Sequence, residues 1–118
     1  MHELAVCQGL MNQVEQIAQR ENAERVTRIL LRVGPLSGVE PQLLIDAFSI
    51  ASAGTVAERA RLDIEAQKVR VKCLSCGAES DAQPNRLLCE SCGDFRTRLV
   101  SGDEMMLMSL ELERRENA

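Results

Sequence analysis

The chain has 118 residues and a formal net charge of −4 at pH 7, and this length suits one ordinary domain with a small metal-stabilised insertion. Its acidic balance, with two phenylalanines and neither tryptophan nor tyrosine, argues against nucleic-acid binding, which favours basic surfaces and aromatic stacking. We find no apolar stretch long enough for a membrane helix and no basic start typical of a secretory signal, so we expect a cytoplasmic protein.

Two helices are predicted. The first runs from Glu3 to about Glu21, because apolar side chains recur on one helical face at Leu4, Cys7, Leu10, Met11, Val14, Ile17 and Ala18. The second follows a Gly-Pro loop, beginning at Pro41 and ending near Gly54. Its predicted inner face consists of Leu44, Ala47, Phe48 and Ala51.

Three strands are predicted to form one sheet. The segment Arg25–Val33 precedes the second helix and alternates, with a covered face of Thr27, Ile29, Leu31 and Val33. Another alternation at Leu62, Ile64 and Ala66 continues loosely to Val69 and Val71. The last strand carries Met106, Met108, Leu110 and Leu112.

The order of these elements predicts an α/β fold in which a small three-stranded sheet is covered by two helices. Residues 73–100 contain few core-forming side chains and lie between two strands. We therefore predict one α/β domain, 1–72 plus 101–118, interrupted by a four-cysteine module, 73–100, that resembles a zinc ribbon.

Four cysteines in this module have the spacing C-x2-C-x12-C-x2-C: Cys73, Cys76, Cys89 and Cys92. Two intervening residues let a tight turn direct both sulfurs to one ion, and Gly77 and Gly93 follow the two pairs. Four thiolates select zinc, or iron of the rubredoxin type, and zinc is favoured because it needs no redox partner. A closed shell of four sulfurs leaves no position for a reactive water, so we predict a structural site, with a redox switch as the less favoured alternative.

The start of the chain offers a second candidate site. Its one histidine, His2, is by itself more typical of an ordinary exposed side chain. With the N-terminal amine and neighbouring backbone nitrogens, however, the imidazole offers a near-planar nitrogen set that favours Ni(II) or Cu(II) over Zn(II). Chemistry leaves the choice between nickel and copper open. Glu3 adds a carboxylate, and Cys7, on the apolar helix face, is predicted to be a buried thiol.

Short motifs along the chain carry a family resemblance. They are Met1-His2-Glu3-Leu4 with Cys7-Gln8, Arg25-Val26-Thr27, Val33-Gly34-Pro35-Leu36-Ser37-Gly38-Val39-Glu40, Gly54-Thr55-Val56-Ala57 and the two CxxC pairs. Together they resemble the HypA/HybF family of nickel metallochaperones for nickel–iron hydrogenase maturation. The resemblance covers essentially the whole chain.

This resemblance implies particular ligands. His2 would be the essential nickel ligand, with the amine of Met1 and the backbone nitrogens of His2 and Glu3, and Glu3 would support the site. Glu40 matches an acidic position of the family, although a carboxylate favoured by the helix dipole explains it equally well. The zinc ligands would be Cys73, Cys76, Cys89 and Cys92. Family members that carry histidines beside the cysteine pairs differ from this chain, which has none there.

The resemblance also implies partners: a HypB-type GTPase as the source of nickel, and a hydrogenase large-subunit precursor, or in some organisms urease, as the target. Edge strands of the sheet would suit docking or a homodimer. An enzyme is disfavoured and no catalytic residues are predicted, because no general-base histidine, phosphate-binding loop or nucleophile motif is found. A zinc-ribbon nucleic-acid module and a purely structural adaptor are the alternatives outside the family.

Overall fold

The computed structural model describes residues 2–115, in which two helices and six strands are found. Their order is α1 (Glu3–Arg20), β1 (Ala23–Val33), α2 (Pro41–Ala51), β2 (Arg61–Ala66), β3 (Arg70–Cys73), β4 (Glu79–Asp81), β5 (Thr97–Ser101) and β6 (Met105–Arg114). The strands form two three-stranded sheets, ordered β2-β1-β6 and β4-β3-β5. The predicted α/β class with a ribbon-like cysteine module is confirmed.

Two compact units make up the chain. The first consists of Met1–Leu31, Val39–Ile64 and Leu107–Ala118 and contains both helices. The second consists of Arg32–Gly38 and Glu65–Met106 and contains β3, β4 and β5. This second unit contains the segment 73–100 together with flanking residues on both sides of it and the separate stretch 32–38.

Helix α1 buries the predicted apolar face except at its start and at Ile17, which is half-buried. Leu4, predicted on that face, is 41% exposed, whereas Glu3 is only 7% exposed. The Glu3 side chain tolerates burial because its carboxylate accepts a hydrogen bond from the backbone N–H of Glu40, with 3.3 Å between N and Oε2. The other buried positions of α1 are Cys7, Leu10, Met11, Val14 and Ala18.

Helix α2 begins with a side-chain cap. The Glu40 carboxylate accepts a hydrogen bond from the backbone N–H of Leu43 at 2.9 Å. Pro41 takes the first helical position, where a missing N–H has no consequence. The helix ends at Ala51, earlier than predicted, and Gly54 adopts a φ of 73° in the turn that follows. Of the predicted inner face, Leu44 and Phe48 are buried and Ala47 and Ala51 are half-buried.

The two helices run side by side in the same direction. Glu3 contacts Glu40, and one turn further the thiol of Cys7 donates to the carbonyl of Leu44 at 3.4 Å. Both contacts join residues 37 positions apart, so the helices are parallel and their first turns are adjacent. The predicted burial of Cys7 is confirmed, and this burial raises the pKa of its thiol.

Strand β1 is the central strand of the first sheet, and its alternation differs from the prediction. Val26, not the predicted Thr27, is fully buried. The Thr27 hydroxyl instead donates to the carbonyl of Glu111 at 3.1 Å. The buried residues of β1 are therefore Ala23, Val26, Ile29, Leu31 and Val33.

Ion pairs between neighbouring strands indicate the strand directions of the first sheet. Arg28 contacts Asp63 at 2.6 Å and Arg32 contacts Glu65 at 2.9 Å, so residue numbers rise together and β1 is parallel to β2. Toward β6 the pairing reverses, because Arg28 contacts Glu111 and residue 25 contacts residue 113. The first sheet is therefore mixed, and α2 lies in the connection between its two parallel strands.

Strand β3 is the central strand of the second sheet and is antiparallel to both β4 and β5. The alternation predicted to continue from β2 to Val69 and Val71 was wrong, since β2 ends at Ala66. Val69 and Val71 are buried, and Val71 pairs with Ser80 on β4 and with Leu99 on β5.

Gly34 and Gly102 allow two backbone segments of the second unit to pass closely. A Cβ atom on Gly34 would lie 2.1 Å from the carbonyl oxygen of Gly102. That oxygen accepts a hydrogen bond from the N–H of Leu36 at 2.7 Å, and the N–H of Gly34 bonds the carbonyl of Glu104 at 2.8 Å. Because backbone fixed by these bonds moves less readily than a flexible side chain, residue 34 has no room for a side chain.

We predict that Gly34→Ala lowers the free energy of unfolding by about 1–3 kcal/mol, because the added methyl group overpacks this contact. The matched control is Gly9→Ala, since Gly9 lies in α1 and a methyl group there would have nothing within 4 Å. That change should stabilise the protein by roughly 0.5–1 kcal/mol through helix propensity. Urea denaturation of the metal-loaded protein measures both values, and equal effects at the two glycines would contradict the close approach.

Candidate metal centre

Two short loops direct four cysteine sulfurs to one point. The Sγ atoms of Cys73, Cys76, Cys89 and Cys92 all lie within 4.8 Å of one another. Two of the contacts join different loops, at 3.6 Å for Cys73 with Cys92 and 3.6 Å for Cys76 with Cys89. Sulfurs at about 2.3 Å from a tetrahedral zinc ion are roughly 3.8 Å apart, so the four predicted ligands fit such an ion.

The same backbone turn forms each loop. The N–H of Gly77 donates to the carbonyl of Cys73 at 3.1 Å, and the N–H of Gly93 donates to the carbonyl of Cys89 at 2.8 Å. Both glycines adopt a φ of 77°, which side chains disfavour. We call these turns the first knuckle (residues 73–78) and the second knuckle (residues 89–94).

Backbone amides point at the two buried sulfurs. The N–H groups of Ser75 and Cys76 approach the Sγ of Cys73 at 3.3 and 3.4 Å, and the N–H of Cys92 approaches the Sγ of Cys89 at 3.4 Å. The Cys92 amide lowers the pKa of Cys89 to about 6, and the Cys76 amide lowers the pKa of Cys73. The turn thus favours the thiolate form that binds metal.

The two exposed cysteines, Cys76 and Cys92, have raised pKa values and therefore favour the protonated thiol. The backbone N–H of Asp94 favours the Cys92 thiolate, but hydrogen bonds to the other three cysteine sulfurs, that to Cys73 foremost, together with burial outweigh it and raise the pKa of Cys92 to about 12. At Cys76 the backbone N–H of Ala78 lowers the pKa, whereas the hydrogen bond to the sulfur of Cys89 and burial raise it. The net effect is a raised pKa of Cys76. Near neutral pH an incoming metal must therefore displace at least these two protons.

The second unit has few apolar side chains to stabilise it. Among its described residues, the buried apolar positions are Val33, Val69, Val71, Cys73 and Cys89. The first unit, in contrast, buries apolar side chains of both helices and of β1. A structural zinc ion contributes roughly 10–16 kcal/mol of apparent binding free energy to small modules, so metal at the four sulfurs can replace an apolar core here.

The residues predicted to bind nickel lie at the start of α1. His2 is the exposed N-cap residue, and its side chain makes no capping hydrogen bond, while its carbonyl accepts from the N–H of Val6 at 2.9 Å. The predicted amine ligand, on Met1, lies outside the described residues. Next to His2, the buried Glu3 contacts Glu40 through the Glu40 backbone. The carboxylate of Glu40 itself caps α2, which is the alternative role given above for this residue.

One residue at the sulfur site was missed by the sequence reasoning. The carboxylate of Asp94 accepts hydrogen bonds from the hydroxyl of Ser75 and from Arg96. A signal was present, because Asp94 follows Cys-Gly in the second knuckle where Ala78 follows Cys-Gly in the first. Arg96 also forms an ion pair with Asp94, at 3.0 Å.

Neither helix within residues 2–115 combines the length and apolar character that crossing a membrane requires.

Known proteins similar to this chain point to one family. A family profile described as "Hydrogenase/urease nickel incorporation, metallochaperone, hypA" matches residues 1–112. The hydrogenase maturation factor HypA of Aquifex aeolicus is 45% identical over 113 residues, 96% of this chain and 98% of that protein. The corresponding factor of Nitrosospira multiformis is 49% identical over 112 residues, 95% of this chain and 97% of that protein. The solution structure of the Ni metallochaperone HypA from Helicobacter pylori is 28% identical, covers 98% of this chain and 100% of its own, and has a TM-score of 0.72.

We predict that removing the metal with a chelator unfolds the second unit and leaves the helices of the first unit formed. Amide hydrogen exchange should then accelerate in β3, β4 and β5 by orders of magnitude, because these strands lose the cluster that replaces their core. Buried amides of α1, such as those of Leu10 and Val14, should stay protected. Retained protection in β3 after complete metal removal would contradict the assignment.

We also predict that zinc affinity falls as the pH falls, because protons compete for the thiolates. Between about pH 6 and pH 9, the raised pKa values of Cys76 and Cys92 keep both protonated before binding, so at least two protons are released per zinc. The apparent dissociation constant should therefore rise about 100-fold or more per unit of decreasing pH. Calorimetry in buffers of different ionisation enthalpy counts the protons. Cys7→Ala is the control that should leave the count unchanged, and release of fewer than two would contradict the protonation pattern.

Proposed function

Since the chain belongs to the HypA family of metallochaperones for nickel incorporation into hydrogenase and urease, we propose that it binds Ni(II) at its N-terminus and delivers this ion during hydrogenase maturation. The proposed ligands are the imidazole of His2, the backbone nitrogens of His2 and Glu3 and the amine of Met1. The observation that carries the proposal is the exposed position of His2 at the start of α1, with its side chain not used in capping. The four cysteines are proposed to hold a structural zinc.

The two proposed sites differ in ligand chemistry, and this difference supports their separate roles. Nitrogen ligands in a near-planar arrangement suit Ni(II), whereas four thiolates in tetrahedral arrangement suit Zn(II). Deprotonated backbone amides bind nickel strongly but leave zinc at a disadvantage. A nickel carrier with both sites can thus keep its structural ion while it exchanges its cargo.

Glu3 is proposed to support the nickel site by anchoring the chain just behind it. Its buried carboxylate bonds the Glu40 backbone, so the residue that follows His2 is held against α2. Glu40 then contributes through its backbone N–H, while its carboxylate caps α2 through Leu43. This anchoring leaves the imidazole accessible and fixes where it is presented.

We propose that release of nickel depends on the low stability of the backbone at the start of α1. Terminal backbone opens at low free-energy cost, so docking of a partner can rearrange the residues that precede the Glu3 anchor and move nickel by ligand exchange. The proposed partners are a HypB-type GTPase as nickel source and a hydrogenase large-subunit precursor as acceptor, with urease as a further target. We place these steps in the cytoplasm, where the zinc thiolates remain reduced.

We predict that His2→Ala abolishes nickel binding, measured by calorimetry on untagged protein, and leaves one zinc per chain by elemental analysis. Extra residues ahead of Met1 should weaken nickel binding at least tenfold, because they convert the ligating amine into a peptide nitrogen. Two control variants test whether side chains near His2 are needed for nickel binding. Gln8→Ala, at an exposed site of α1, and Glu40→Gln should both retain binding. Unchanged affinity in both the His2 variant and the extended protein would refute the N-terminal site.

A further inference from the structure

The two knuckles have equivalent backbones and differ at one position. The N–H of Cys73 bonds the carbonyl of Ala78 at 2.9 Å, and the N–H of Cys89 bonds the carbonyl of Asp94 at 3.0 Å. Ala78 and Asp94 therefore occupy matching places, as do the serines inside the two CxxC pairs, Ser75 and Ser91. A carboxylate is present at this place in the second knuckle alone.

The Asp94 carboxylate joins the two knuckles. Its Oδ2 accepts a hydrogen bond from the hydroxyl of Ser75, which belongs to the first knuckle. Within its own segment it accepts from the backbone N–H of Arg96 at 3.0 Å and from the guanidinium Nη2 at 3.0 Å. The side chain of Asp94 is 16% exposed, so these bonds lie in a mostly covered position.

We propose that Asp94, through Ser75, is a positioning residue that braces the knuckles against each other and makes the four-sulfur site selective for zinc over nickel. Each knuckle supplies one pair of sulfurs, Cys73 with Cys76 and Cys89 with Cys92. In a tetrahedral site the line that joins one pair of sulfurs is perpendicular to the line that joins the other pair. In a square-planar site all four sulfurs lie in one plane. Conversion from one to the other requires a large twist of one knuckle against the other, and the bridging bond opposes that twist.

The hydrogen bond between Ser75 and Asp94, which we call the brace, distinguishes the two metals by their geometric preferences. Zn(II) has no geometric preference from its d electrons and loses nothing in a rigid tetrahedral site. Ni(II) favours square-planar coordination and would have to break or stretch the brace to obtain it. This inference uses the proposed function in one respect, namely that nickel is the cargo. A nickel carrier benefits when its structural thiolates do not capture the transported ion.

The test measures replacement of zinc by nickel at the sulfurs. Zinc-loaded protein carrying His2→Ala, which removes the proposed N-terminal site, is mixed with excess Ni(II) alone. Released zinc is followed with a colorimetric chelator, and nickel uptake is followed by sulfur-to-nickel charge-transfer absorption. We expect Ser75→Ala and Asp94→Ala to accelerate exchange about tenfold, in line with loss of one charge-assisted hydrogen bond. Ser75→Thr, which keeps the hydroxyl, should restore slow exchange.

Ser91→Ala is the matched control, because Ser91 has the same place in the second knuckle as Ser75 in the first. It should exchange within twofold of the parent protein. A second readout is magnetic: nickel forced into the parent site should stay tetrahedral and paramagnetic, and nickel in Asp94→Ala should become planar and diamagnetic. Should Asp94→Ala fail to fold, Ser75→Ala carries the same two readouts.

Exchange as slow in Ser75→Ala as in the parent, or equally fast exchange in Ser91→Ala, would overturn the brace. This outcome is separable from failure of the proposed function. Because the protein in this assay carries His2→Ala, the exchange rate reports on the thiolate site whether or not the wild-type N-terminus binds nickel.

Discussion

Convergence of four cysteine sulfurs is the constraint on which the second unit depends. The strands around the knuckles bury few apolar side chains, and Val69 and Val71 are the main ones on or beside β3. Binding of a metal displaces two protons of the cluster, those on Cys76 and Cys92. Folding of this unit is thereby linked to metal and to pH, whereas the first unit has an apolar core of its own.

In the first unit a buried carboxylate has the organising role. Glu3 takes a place on the packed face of α1 where an apolar side chain would be expected, and it bonds the backbone at the start of α2. The two parallel helices therefore begin next to each other, and His2 immediately precedes the anchored residue. The proposed nickel site and the proposed zinc site consequently depend on different parts of the sequence, with nitrogen ligands in one and sulfur ligands in the other.

Much of the fold was predictable, since both helices and three of the strands have clear apolar periodicity. The cysteine ligands were equally plain, because the CxxC spacing and the following glycines are local signals. Burial of Glu3 in place of Leu4 was not predictable, as it depends on the backbone of Glu40, 37 positions away. The separation of β3 from β2 and the bond between Ser75 and Asp94 likewise arise from tertiary pairing that no local pattern records.

The central claim is that the transported nickel and the structural zinc have separate ligands. X-ray absorption at the nickel and zinc edges, on one sample of untagged protein loaded with both metals, tests it most directly. The account predicts nickel surrounded by nitrogen and oxygen neighbours alone, and zinc surrounded by four sulfurs at about 2.3 Å. Sulfur in the first shell of nickel would place the cargo among the cysteines and contradict the account.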